Sequence, residues 1–124
     1  MKIEISNGDF VDRITILKIK LAKIKIPDKL ENVRNEYRCL LPHLDTLGIG
    51  ESSPQFRRLQ AINQKLWDIE DNIRAKEAQH HFDAEFINLA RQVYILNDQR
   101  AKIKREINIT TGSRFIEEKE YINY

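Results

Sequence analysis

Apolar residues recur along most of this chain in steps of three and four, the spacing that gathers them on one face of an α-helix. The longest run begins at Phe82 and continues through Phe86, Leu89, Val93, Leu96, Ile103 and Ile107. With Asp83 as its cap, it predicts a helix over 83–108. Leu59, Ile62, Leu66, Ile69 and Ile73 predict another over 54–79, opened by the cap-and-proline pair Ser53-Pro54. Leu30, Val33, Tyr37, Leu40, Leu44 and Leu47 predict a helix over 29–47 that Pro42 must kink or split, with Asp28 and Glu31 at capping-box spacing. The first helix is expected over 9–26, behind Ser6 and ended by Pro27. MKIEI at the start alternates like a strand-like arm. Gly48 to Ser53 is the one clear loop.

These elements make an all-α fold, read as a single helical domain over 1–124. The 54–79 and 83–108 helices would each span roughly 36–38 Å at about 1.5 Å per residue, and the short reversal at His80–Asp83 folds them into an antiparallel hairpin. In that register Leu66 faces Leu96, Ile69 faces Val93 and Ile73 faces Leu89, apolar against apolar. The first helix packs with the hairpin, and so does the Pro-interrupted second.

The first helix is apolar on two sides. Phe10, Ile14, Leu17, Leu21 and Ile24 form one stripe, and Ile16, Ile19 and Ile26 lie near the opposite side. A helix packed on one side only is polar behind, so this one is either central or part of a subunit interface, and a homodimer is the expected assembly. The residues after Gly112 include Phe115, Ile116, Tyr121, Ile122 and Tyr124. They are too apolar to stay free, so 113–124 is expected to dock on the body or on another subunit.

Composition narrows the class. Hydrophobic residues make up 41% of the 124 and charged residues 32%, a globular profile, and four Gly and three Pro are too few for a sandwich or barrel. The net charge of +2 conceals a local excess: residues 1–29 hold seven basic side chains against four acids. That suits an acidic protein or an anionic small molecule as partner. Nucleic acid is not suggested, because basic residues are few and aromatics do not alternate with them. Cys39 is the sole cysteine, expected as a small core residue; it excludes an internal disulfide and fits a reducing, cytoplasmic setting. No run reaches the roughly 18 apolar residues of a membrane helix, and the N-terminus lacks a secretory core.

Candidate chemistry centres on the interruption of the last helix's seam. Arg100 sits where an apolar residue is due, and Lys104 one turn on leans to the same side. A buried guanidinium keeps its charge, so an acid or a ligand must meet it. The hairpin offers no acid, since Arg100 falls opposite Ile62 and Asn63. Asp12, on the back of the first helix among isoleucines, is the natural counter-charge. Arg100, Lys104 and Asn97 could equally hold a phosphate or carboxylate, with hydroxyl or amide donors from Thr110, Thr111 and Ser113 and a further cation in Arg114. TTGSR has neither the glycine spacing nor the lysine of a Walker loop.

No catalytic residue, metal ligand set or cofactor emerges. His80, His81 and Asp83 are explained by a turn and a cap. Glu70, Asp71 and Glu77 would need a second acidic pair on the facing helix to hold a magnesium-nucleotide, and Glu85 and Asp98 stand too far apart.

The segment Ile5-Ser6-Asn7-Gly8-Asp9-Phe10-Val11-Asp12-Arg13-Ile14-Thr15-Ile16-Leu17-Lys18-Ile19-Lys20-Leu21 resembles the opening of a family of small uncharacterised bacterial all-helical proteins. Leu66-Trp67-Asp68-Ile69-Glu70, Asn97-Asp98-Gln99-Arg100-Ala101 and Gly112-Ser113 with Glu117-Glu118-Lys119 extend the resemblance over most of the chain. It implies no established activity. It implies an association with glycosyltransferase and surface-polysaccharide proteins, and groups Asn7 with Asp12, Arg100 and Lys104. A fainter likeness links the chain to small all-helical chorismate mutases, which set arginines and lysines around a dicarboxylate, but no complete motif of theirs is present.

Two functions follow as expectations. The first is a helical interaction or scaffolding module that acts through oligomerisation and partner binding. The alternative is a small anion-binding protein or enzyme whose pocket surrounds Arg100, Lys104, Asn97, Asn7, Asp12, Ser113 and Arg114.

Overall fold

The computed structural model describes residues 1–124 and is all-helical: α1 (Asn7–Lys23), α2 (Pro27–Leu40), a 3₁₀ segment (Leu41–Leu47), α3 (Pro54–Ala78) and α4 (Ala84–Thr110). The caps are those the sequence implies in three places. The Ser6 hydroxyl accepts from the Asp9 amide, the Ser53 hydroxyl from Phe56, and the Asp83 carboxylate from Phe86. Pro42 does not break its helix outright; the chain tightens into 3₁₀ geometry at Leu41 and ends at Gly48, whose φ of +68° suits glycine alone without strain.

Several local expectations are corrected. α1 begins at Asn7, two residues early, and ends at Lys23, because Ile24 turns extended with ψ 131° and leaves Ile26 exposed. α2 has Pro27 at its first turn but no side-chain cap, so the Asp28–Glu31 box does not form. Residues 1–5 join no sheet, and Cys39 is exposed rather than in the core.

α1 is the central helix. It touches α2, α3 and α4, and the core is built around it from Val11, Ile14, Leu44, Ile49, Phe56, Leu59, Ile103 and Ile107. Ile19, on the opposite side of α1 from Ile14 and Leu17, is buried as well. The first stripe is thus covered within one chain, and the second in part: Ile19 is buried, Ile16 half-buried and Ile26 exposed. α3 and α4 pair in the expected antiparallel sense, since Arg58 reaches Glu106 at 2.9 Å and, at the far end, Lys76 reaches Asp83 at 2.9 Å. No helix is long and apolar enough to cross a membrane.

Past Gly112 (φ +65°) the chain turns back along α4 without regular structure. Polar contacts hold it: Glu117 meets Lys104, Glu118 meets Arg105, and the Tyr124 hydroxyl donates to Asp98 at 2.5 Å. The Tyr124 ring also stands edge-on to Tyr94 at 5.4 Å. The tail's apolar side chains face water, with Ile122 91% and Tyr124 77% exposed.

Candidate functional site

Three helices converge on Arg100. From α4 its Nε donates to Asp12 Oδ1 at 2.8 Å and a terminal nitrogen donates to Asp12 Oδ2 at 2.5 Å, the bidentate fork in which guanidinium matches carboxylate. The Asp12 side chain on α1 is 7% exposed and that of Arg100 is 28% exposed, so the arginine is half-buried rather than enclosed. From α3, the Asn63 amide donates to Asp12 Oδ1 and to the Thr15 hydroxyl, both at 2.8 Å, and that hydroxyl donates to the Asp12 carbonyl at 2.7 Å. The remaining guanidinium nitrogen donates to Asn97 Oδ1 at 3.3 Å. The hydrogen bond to Asp12 raises the pKa of Arg100, against burial, which lowers it.

One turn along α4, Lys104 is held between two carboxylates, Asp9 at 2.7 Å and Glu117 at 3.2 Å. Burial pushes the Lys104 ammonium down, but Asp9, Asp12 and Glu117 together outweigh it and raise its pKa. Burial pushes the Asp9 carboxyl up, and Lys104 with the Ser6 hydroxyl holds it below its ordinary 3.8. A depressed carboxyl adds stability that is complete above its unfolded value and is lost as pH falls through the folded one. A raised ammonium adds stability that is complete below its ordinary 10.5 and is lost on the alkaline side. We expect urea unfolding to show a plateau between these limits, with an acid limb below about pH 4. That limb should shrink in Asp9→Asn. An unchanged limb would remove Asp9 from the linkage.

The start of α1 is closed by the end of α4. The Asn7 amide donates to the Ser113 hydroxyl (3.0 Å), the Gly8 amide to Asn108 Oδ1 (2.6 Å) and the Asp9 amide to the Ser6 hydroxyl (3.1 Å), so side chains satisfy the first free donors of the helix. The Asn7 side chain donates to the Thr111 hydroxyl at 2.9 Å. Gly8 is required by this closeness: a Cβ there would lie 2.4 Å from the Lys104 carbonyl oxygen, a main-chain atom.

Of the residues singled out from sequence, Asp12, Arg100 and Asn97 meet in one cluster, with Lys104 one turn on in its own pair. Asn7 and Ser113 meet each other instead, and Arg114 turns away to Glu4 at 2.9 Å. Ser113 and Thr111 accept from the helix start rather than donate to an anion. Asn63, Thr15, Gly8, Asn108 and Glu117 take part without being singled out by the sequence, and Asp9, expected only as an acid at the start of the first helix, also pairs with Lys104. One of them carries a signal in the sequence: Asn63 stands four residues after Leu59 and three before Leu66, on the apolar stripe of α3. No group of three or more His, Cys, Asp or Glu side chains is gathered as a metal site.

Residues 1–124 match the model of a family described as Family of unknown function (DUF6165). The chain belongs to that family. No curated protein and no solved structure matches it. The DUF6165 match spans all the elements just described, from the capped start of α1 to the tail, and the description attaches no activity to any of them.

Proposed function

We propose that this DUF6165 protein is a non-enzymatic helical interaction module that works as a homodimer. The supporting observation is the outer side of α4 with its tail. Tyr94, Tyr121, Ile122 and Tyr124 are 45%, 68%, 91% and 77% exposed, and with Val93 they border an apolar cleft of about 650 Å³. Burying a large apolar side chain contributes roughly 1.5–3 kcal/mol, and tyrosines are frequent anchors of interfaces.

The occupant is a second copy. The rim carries both signs, with Lys102 and Lys119 near Asp98 and Glu118. A two-fold partner brings the same patch reversed and so opposes lysine to carboxylate. A strongly acidic or basic partner finds no net charge here to match. An acidic protein partner fits the lysine-rich α1 flank better. A cytoplasmic setting, which keeps the exposed Cys39 a thiol, and a place beside glycosyltransferase or surface-polysaccharide proteins belong to the same reading.

The anion-binding alternative has less support. Arg100 and Lys104 already meet Asp12, Asp9 and Glu117, and Arg114 meets Glu4.

Light scattering coupled to size exclusion tests the dimer. The expected mass is twice that of the 14.7 kDa chain, falling to one copy in Ile122→Glu with Tyr121→Ser. A single-copy mass at high protein concentration, or a dimer indifferent to those substitutions, would overturn it.

A further inference from the structure

A second open space lies on the other side of Arg100. It is a cleft of about 510 Å³ between α1, α3 and α4, walled by Ile16, Ile19, Leu66 and Trp67. Its volume is that of a small-molecule site. Asn63 borders it while being only 5% exposed. Both hydrogens of its amide are committed, one to the Asp12 carboxylate and one to Thr15. A carboxylate can only accept, so the orientation of the amide is fixed, and Oδ1 is the free end. Oδ1 accepts no hydrogen bond from the chain. Because no fully enclosed side-chain oxygen or nitrogen lacks a partner, Oδ1 must open onto the cleft. An acceptor presented to the cleft by a side chain otherwise held in place is available to a ligand donor.

The neighbouring groups define what that something is. Asn97 uses its oxygen on Arg100 and keeps its amide hydrogens for a ligand acceptor. Trp67 also lines the cleft, and its indole is a flat apolar ring with one N–H donor that no group of the chain accepts from. The charge present does not select an anion. Arg100 is matched by Asp12 and Arg74 by Glu70 at 2.6 Å, which leaves the carboxylate of Asp71 over.

We infer that this cleft binds an uncharged, flat heterocycle whose edge carries a donor beside an acceptor, as a nucleobase does, with the ring against Trp67 and the edge on Asn63 and Asn97. The amide pair reads such an edge as asparagine reads a base. The absence of surplus positive charge favours the nucleoside over its phosphate esters. The inference does not rest on dimerisation: Asn97 borders both clefts, but Asn63 and Trp67 line this one and not the cleft beside the tail.

Trp67 is the sole tryptophan of the chain, so its fluorescence reports on this cleft directly. The experiment titrates the full chain with uridine, adenosine, uridine monophosphate and methyl glucopyranoside, and follows the side-chain amide signals of Asn63 and Asn97 by NMR. A saturable change with a nucleoside is expected, weaker with the monophosphate and absent with the pyranoside. Asn97→Ala should weaken nucleoside binding about fivefold, the loss of one neutral hydrogen bond, in a chain that still unfolds cooperatively. No response to either nucleoside, an equal response to the pyranoside or the monophosphate, or full affinity in Asn97→Ala would each overturn it.

Discussion

The Arg100→Met chain is expected to lose about 3 kcal/mol of stability, the scale on which removing one partner of a buried ion pair acts. The loss comes less from the bond removed than from the charge left behind. Asp12 has a side chain only 7% exposed, and without Arg100 its carboxylate keeps one hydrogen bond, from the Asn63 amide, and the more distant charge of Lys104. The 28% exposure of Arg100 lets some water reach the vacancy, which places the effect at the lower end of the range. The pairing also makes a second result calculable. Asp12→Asn with Arg100→Met leaves an amide whose oxygen still accepts from Asn63 and removes the stranded charge. The double variant should therefore fall short of the sum of the singles by at least about 1 kcal/mol. Chemical denaturation of the three variants measures this coupling, and additive losses would mean that the fork is not the unit described.

The Gly8→Ala chain is expected to lose about 2 kcal/mol, roughly 8 °C in melting temperature for a chain of this size. A methyl group there meets the Lys104 carbonyl at 2.4 Å and Asn108 Oδ1 at 2.9 Å. The carbonyl is main chain and cannot rotate away, so α1 and α4 must separate, at about 1–3 kcal/mol for overpacking. The 2.6 Å bond from the Gly8 amide to Asn108 weakens with them, for about 1 kcal/mol more. Alanine's better helix propensity returns somewhat less than 1 kcal/mol. Gly50 is the control, because nothing lies within 4 Å of a Cβ there. Gly50→Ala should change the melting temperature little, and equal losses at the two glycines would refute the packing explanation.

Where the sequence was legible, it was so for physical reasons. Periodicity placed all four helices, because a buried face must repeat with the helical turn. Ser6, Ser53 and Asp83 were readable as caps because capping depends on residues a few positions apart. The Asp12–Arg100 pair was readable because each is a charge at an apolar position and such charges must neutralise one another. The remainder depended on relations across the chain. Nothing local tells that Asn108 and Ser113 occupy the donors at the start of α1, a hundred residues away. The doubly apolar α1 admits a central position or a subunit contact, and its packing against α2, α3 and α4 makes it central. Cys39 followed the general tendency of cysteine to be buried, but at its turn of α2 the side chain faces outward.

The staple between the first and last turns of the bundle has a consequence for the order of events on the ribosome. A nascent chain that has only just made residues 6–23 holds a helix whose opening amides at Asn7 and Gly8 have no side chain to receive them and whose Asp12 has no guanidinium. Asn63 arrives midway, Arg100 and Asn108 only as the final helix emerges, and Ser113 later still. α1, made before the other helices described, is thus completed after them, and a chain cut short just before residue 113 would leave the centre of the bundle, rather than its edge, unfinished.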